Sequence, residues 1–105
     1  MTYKQAYRAA IRPYILPNDS VELVLLEHGF SLEDEYQVGN EQEFYSSVID
    51  GLLMLVSLEK EKDAGSENQY DTEQLEKRIR FLRRKWDIED PEADDTAFIN
   101  LTNEH

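Results

Sequence analysis

The segment from residue 41 to residue 62 constrains the fold most, because its apolar residues have helical spacing but are too many for one helix face. They are Phe44, Val48, Ile49, Leu52, Leu53, Leu55, Val56 and Leu58. An amphipathic surface helix carries a single apolar stripe. We therefore predict a long central helix from about Glu41 to Lys62, contacted on several sides. Gly51 lowers helix propensity inside it, so we expect another backbone to come close there.

Shorter helices are predicted on either side of the central one. Apolar spacing predicts a first helix over residues 2–12, which Pro13 ends because proline disfavours helical geometry in the preceding residue. A second helix is predicted over residues 19–28. Its N-cap oxygens would come from Asn18, Asp19 and Ser20, and Gly29 would form the C-terminal cap.

The last predicted helix spans residues 72–86, capped by Asp71 or Thr72. Its core-facing seam is formed by Leu75, Ile79, Leu82 and Trp86. The fold class is therefore all-α, a small bundle of about four helices with a long central helix. With 105 residues, the chain forms one bundle domain over residues 1–88, followed by an acidic, partly disordered tail over residues 89–105. Residues 63–70 have the composition of a flexible loop.

Charge is distributed in blocks along a chain of net charge −12. No Lys or Arg lies between Arg12 and Lys60. The segment from Lys77 to Lys85, with both ends included, contains six basic residues. Such blocks can pair within a molecule or between copies. The candidate partner-binding basic face comprises Arg78, Arg80, Arg83, Arg84 and Lys85. The candidate complementary acidic face comprises Glu33, Asp34 and Glu35.

The basic face has three interpretations from sequence alone. It could be a solvated helix face with weak local ion pairs, since Glu73, Glu76 and Asp87 lie nearby. It could contact an acidic protein surface, including another copy of the chain. It could also bind nucleic acid through its cations and Phe81, although the overall negative charge disfavours that ligand.

The tail contains one apolar island, residues 97–101, with sequence AFINL. An apolar cluster flanked by acidic residues gains most by burial against another surface. Phe98, Ile99 and Leu101 are therefore candidate anchors, which either dock on a neighbouring molecule or fold back onto the chain's own helices.

The sequence contains no recognisable catalytic, metal or cofactor motif. It has no cysteine, and the run Glu33–Glu35 lacks the alternating ligands and glycine of a calcium loop. His28 is interpreted as a capping or half-buried residue near a helix end. We expect a non-enzyme without cofactors, made in the cytoplasm, with no membrane segment because the run Leu52–Val56 is too short.

Several segments together resemble a known group of proteins. They are DSVELVLLEHGFSLEDEY, the central FYSSVIDGLLMLV, a Gly/Ser loop and a last helix with an aromatic end. This order, over about residues 3–86, is similar to small proteins of tailed phages and prophages of Bacteroides-type bacteria, which are similar to head-to-tail connector (adaptor) proteins.

The resemblance implies a virion protein whose copies form a ring between portal and tail. Its partners would be other copies of itself and the phage portal and tail proteins. In such a ring, a basic helix meeting an acidic neighbour would fix the register. The strongly basic last helix and the acidic tail depart from the family pattern. The alternative function is a small acidic cytoplasmic regulator or adaptor that binds a single protein partner.

Overall fold

A computed structural model describes residues 1–61 and 70–90 of the chain. It contains four helices: α1 (Tyr3–Ile11), α2 (Asn18–Glu27), α3 (Glu41–Lys60) and α4 (Thr72–Trp86). The predicted all-α fold class is confirmed. The only β pairing within these ranges is an isolated antiparallel bridge between Thr2 and Glu35. Most of the predicted 63–70 loop and the tail from residue 91 lie outside the described residues.

Helix α3 is the centre of the bundle, as its apolar content predicts. It packs against α1, α2 and α4, whereas the backbone of α4 comes close to that of α3 alone among the described helices. Residues on several sides of α3 are buried, among them Val48, Ile49, Leu52 and Leu55. Because one helix contacts all the others, burial of α3 determines where each of them lies.

Phe44, near the start of α3, is the hub of an aromatic cluster. Five rings lie with their centroids between 5.0 and 6.3 Å from its own, namely those of Tyr3, Tyr7, Phe30, Tyr36 and Tyr45. Each such pair contributes about 0.5–1.5 kcal/mol beyond area burial. The cluster joins α1 and the connector after α2 to the first turns of α3.

Two leucines predicted to be in the core are largely exposed. Leu53 is 41% exposed and Leu58 is 53% exposed. Helical spacing selects apolar residues but cannot tell which of several apolar faces a neighbour covers. The buried residue near the end of α3 is instead Glu59, whose Oε2 accepts the backbone N–H of Tyr70 at 3.1 Å.

Of the predicted helix caps, those at Gly29 and Asp71 agree with the structure and the N-cap of α2 differs, while α1 has a cap that was not predicted. Thr2 forms a capping box with Gln5 at α1, and Gly29 has a φ of +84° after α2. Asp71 caps α4 by accepting the N–H of Glu73 at 2.9 Å. The predicted side-chain cap of α2 is wrong, because its N-cap is Pro17, which has no side-chain cap hydrogen bond. Asn18 instead belongs to the helix, and its amide donates to Glu22.

Gly51 permits a close approach, although the approaching group differs from the prediction. A Cβ at this position would lie 2.2 Å from the Tyr7 hydroxyl oxygen and 3.1 Å from a methyl carbon of Leu16. A side chain, not a backbone, therefore excludes larger residues. Tyr7 is fully buried and donates to the carbonyl of Ser47 at 2.8 Å. Burial, with the negative charge of Asp50, raises the pKa of the Tyr7 phenol far above its ordinary value, so it remains a donor.

Gly51→Ala should destabilise the fold, although Ala normally stabilises a helix interior by about 1 kcal/mol relative to Gly. The new methyl group overlaps the Tyr7 hydroxyl, which its hydrogen bond holds in place, and overpacking of this kind costs about 1–3 kcal/mol. Chemical denaturation would measure the change. In the Tyr7→Phe background, which removes the overlapping oxygen, the penalty of Gly51→Ala should shrink or reverse. A Gly51→Ala protein more stable than wild type would contradict the geometry.

Candidate interaction surfaces

Helix α4 is strongly amphipathic and is packed along one side only. Leu75, Ile79 and Leu82 are buried against α3. The outward side carries most of the basic residues together with Phe81, which is 48% exposed. Within residues 1–61 and 70–90 no other helix covers this side, so it is an available surface in that part of the chain.

Two residues of the predicted basic face stabilise the fold itself. The Arg78 guanidinium donates to the carbonyl of Ala10 at 2.9 Å and so joins α4 to the end of α1. Arg83 forms an ion pair with Asp90, with 3.0 Å between Nη1 and Oδ2, and its side chain is only 17% exposed. Arg78 and Arg83 are therefore half-buried and already engaged within the chain, whereas partner binding by the five predicted cations stays a prediction.

The other predicted cations remain on the surface. Arg80, Arg84 and Lys85 are exposed and form no ion pair within the described ranges. The Lys85 ammonium lies 5.8 Å from the ring centroid of Phe81 and 5.4 Å from that of Trp86. An exposed aromatic ring on a helix side rich in cations combines apolar area with positive charge, and the charge favours an acidic partner surface. From here on, the basic face means the exposed residues Lys77, Arg80, Phe81, Arg84 and Lys85, and it no longer includes the engaged Arg78 and Arg83.

The end of α4 is held firmly against α3. The Trp86 indole stacks on the Tyr45 ring, with centroids 4.8 Å apart and planes 7° from parallel. The Gln42 amide donates to the carbonyls of Trp86 and Asp87 at 3.3 and 2.8 Å. These donations pair carbonyls that a helix end would otherwise leave open. The basic face is therefore presented on a rigid support.

The predicted acidic face lies in the connector between α2 and α3. Glu33, Asp34 and Glu35 are all exposed. Glu35 pairs with the amino group of Met1 at 2.8 Å, and the backbone of Asp34 accepts the N–H of Tyr3 at 3.0 Å. Glu33 and Asp34 keep carboxylates with no ion pair in the described part of the chain. This surface borders α1 and the start of α3, whereas the basic face is on α4.

The predicted tail anchors, Phe98, Ile99 and Leu101, lie outside the described residues.

His28 forms the most concentrated polar contact of the bundle. It is the C-cap of α2 and half-buried, as predicted. Its Nδ1 lies 2.5 Å from Glu43 Oε2, and its Nε2 lies 2.6 Å from Asp50 Oδ2. Glu43 and Asp50 are seven residues apart, so two helical turns place them on the same side of α3. The imidazole thereby links the end of α2 to α3 at two points.

The pKa of His28 reflects two opposing effects. Desolvation by burial lowers the pKa, but hydrogen bonds to Asp50 and Glu43 and their negative charges outweigh it, so the pKa is raised above 6.5. The protonated ring can donate to both carboxylates at once, which the neutral ring cannot. The sequence signal for this contact was the spacing of Glu43 and Asp50 on one helix face, but their partner on α2 could not be read from it.

Comparison with known proteins places the chain in one family without assigning it an activity. The model of a family described as "Family of unknown function (DUF6706)" matches residues 1–103, which includes nearly all of the acidic tail. No curated protein and no solved structure matches the chain. Separately, no helix among the described residues combines the length and apolarity needed to cross a bilayer.

His28→Gln should lower the free energy of unfolding at about pH 6 by about 1–3 kcal/mol, because it removes charge-assisted hydrogen bonds. A group with a raised folded-state pKa stabilises fully below its unfolded pKa, and this contribution is lost as pH rises through the folded value. The gap in unfolding free energy between wild type and variant should therefore narrow as the pH rises above 6.5 and through the folded-state pKa.

Denaturant titrations across that pH range would measure this gap. His105→Gln is the matched control, since His105 is the other histidine of the chain, and it should leave the pH dependence unchanged. A His28→Gln profile parallel to that of wild type would show that the imidazolium does not stabilise the fold.

Proposed function

The chain belongs to this family of unknown function, DUF6706, and we propose that it is a non-enzymatic structural protein that assembles with copies of itself. The assembly we propose is the ring of a head-to-tail connector in a tailed phage or prophage, between portal and tail. The sequence resemblance supports this role, and so does a helical bundle with a long central helix.

The observation that carries the proposal is the basic face of α4 on an otherwise acidic protein. Arg80, Phe81 and Arg84 are exposed on α4, and the acidic connector around Glu33 and Asp34 lies on a different part of the surface. A molecule with two complementary faces at different positions forms heterologous contacts, which close into a ring when the rotation between copies allows it. Complementary charge also fixes the register of such contacts.

The arrangement of the titratable side chains supports a role without chemistry. His28 is the histidine within the described ranges, and both of its ring nitrogens are occupied by carboxylates of α3. A general base needs a nitrogen within reach of a substrate proton. Tyr7 is fully buried and committed to a backbone carbonyl. These groups stabilise the bundle and are not presented to a substrate.

Self-assembly should depend on the basic face and on salt. Native mass spectrometry and light scattering should detect species larger than a monomer that dissociate between about 0.1 M and about 1 M salt, as the Debye length falls from about 10 Å to about 3 Å. Arg84→Glu should reduce assembly strongly, because it reverses a charge at the contact.

Arg12→Glu is the matched control, because Arg12 is also exposed, lies outside α4 and changes net charge equally. It should leave assembly close to wild type, and both variants should fold. A wild-type protein that stays monomeric at high concentration and low salt would contradict self-assembly. That result would favour the alternative of an acidic regulator or adaptor with a single protein partner. A neighbouring gene for a portal or terminase protein would support the virion role.

A further inference from the structure

The chain reverses direction directly after α4. Asp87 has a left-handed backbone with a φ of 54°, and its N–H bonds to the carbonyl of Arg83. The N–H of Ile88 bonds to the same carbonyl at 2.9 Å. Asp90 then pairs with the Arg83 guanidinium. The last described residue therefore lies beside a residue seven positions earlier, and the chain is directed back along α4.

Asp90 lies at the mouth of a groove between α3 and α4. We call this the α3–α4 groove; its lining residues are Asp50, Leu53, Glu76, Ile79, Arg80 and Arg83, with Asp90 itself. A second concavity adjoins it and adds Arg84, Asp87 and Ile88 to the lining. Both share Arg80, Arg83 and Asp90. Asp90, the last residue described, thus lies on a surface that also carries Arg80, Arg83 and Arg84.

The carboxylates that line the α3–α4 groove are already paired. Asp50 binds His28, Glu76 binds Lys60 and Asp90 binds Arg83. Arg80 and Arg84, in contrast, have no ion pair within residues 1–61 and 70–90. The Nε of Arg83 is buried there without a hydrogen-bond partner. Within the α3–α4 groove, the groups without a partner are therefore the Arg80 guanidinium and the Nε donor of Arg83.

The α3–α4 groove also leaves apolar area uncovered. Leu53 is 41% exposed and lies beside the buried Ile79. An occupant of the groove has to match its unpaired cations and its uncovered apolar area. It therefore needs carboxylates close to Asp90 and apolar residues further along the chain. Residues 91–105 have this order: Glu92, Asp94 and Asp95 come first, and Phe98, Ile99 and Leu101 follow.

We propose that residues 91–105 lie back along the α3–α4 groove of their own chain, with their carboxylates near Arg80 and Arg84 and their apolar residues on Leu53. The reach is sufficient, because α4 rises about 10 Å from Arg83 to Glu76, while residues 91–98 span up to roughly 27 Å when extended. A segment tethered at Asp90 also has a high effective concentration at the groove, which favours its own chain over a second copy.

This contact would regulate the assembly proposed above, and in that respect it rests on the proposed function. The acidic segment would cover Arg80 and Arg84, which belong to the basic face. A neighbouring copy would have to displace it before docking. Removing the contact should therefore increase self-association, and the released apolar residues would become available to the neighbour.

The contact can be tested in the full chain with a spin label, because the chain has no cysteine of its own. A nitroxide on Asn103→Cys should broaden the NMR signals of Leu53, Ile79 and Arg80. The exposed leucines of α2, Leu23 and Leu26, are internal controls that should keep their signals, because α2 does not contact α4. Unchanged signals at Leu53 and Ile79 would overturn the proposal.

A mixed sample separates the same chain from a second copy. Spin-labelled protein without isotopes is mixed with isotope-labelled protein without a spin label. Groove signals should then stay sharp, because the contact is within one chain. The reference is the sample in which each chain carries both the isotopes and the spin label. Equal broadening of the groove signals in the mixed sample and in this reference would overturn the proposal in favour of docking between copies.

Side-chain substitutions in the tail identify what makes the contact. The triple variant Phe98→Ala, Ile99→Ala and Leu101→Ala should lose the broadening at Leu53. The matched control, Asn100→Ala with Thr102→Ala, should keep it. Equal broadening in both variants would overturn the apolar contact. Light scattering of the triple variant tests separately whether the tail regulates self-assembly. If the variant loses the broadening at Leu53 but stays monomeric, the tail contact is supported and the proposed self-assembly is contradicted.

Discussion

Burial of α3 is the constraint on which the rest of the structure depends. Its apolar residues are distributed over several sides, and a single neighbouring helix cannot cover them. Helices α1, α2 and α4 all pack on it, and the aromatic cluster around Phe44 closes its N-terminal end. The fully buried Tyr7 reaches into the space left by Gly51. Because α4 contributes only one seam to this core, no helix among residues 1–61 and 70–90 covers its other side.

The helices could be predicted well from the sequence, and α4 illustrates why. Its seam from Leu75 to Trp86 repeats at spacings of three and four, and Asp71 supplies a cap oxygen, so both ends agree with the structure. The cap of α2 could not be predicted in the same way. Asn18, Asp19 and Ser20 all suit an N-cap, but the chain enters the helix one residue earlier, at Pro17. Local propensity cannot decide between adjacent start points when tertiary packing fixes the entry angle.

The interaction surfaces were only partly predictable, because their residues are assigned by contacts over long sequence separations. Arg78 bonds to a carbonyl sixty-eight positions away, at Ala10. Its spacing from Leu75 and Leu82 places it beside the buried seam, but cannot show which distant group it contacts. The contact of His28 with α3 likewise depends on how two helices dock. The charge blocks indicated that α4 has a basic face. Which of its cations are structural and which are exposed could be seen only from the packing of α1 and from the turn after Trp86.

The stack of Trp86 on Tyr45 also gives this protein an internal optical reporter. Trp86 is the single tryptophan of the chain, and its indole N–H is buried without a hydrogen-bond partner. Fluorescence excited selectively in the indole therefore arises from one point, where the last helix meets the central one. Separation of α4 from α3 would change the Trp86 emission directly, whereas local unfolding of α1 or α2 would leave it largely unaltered.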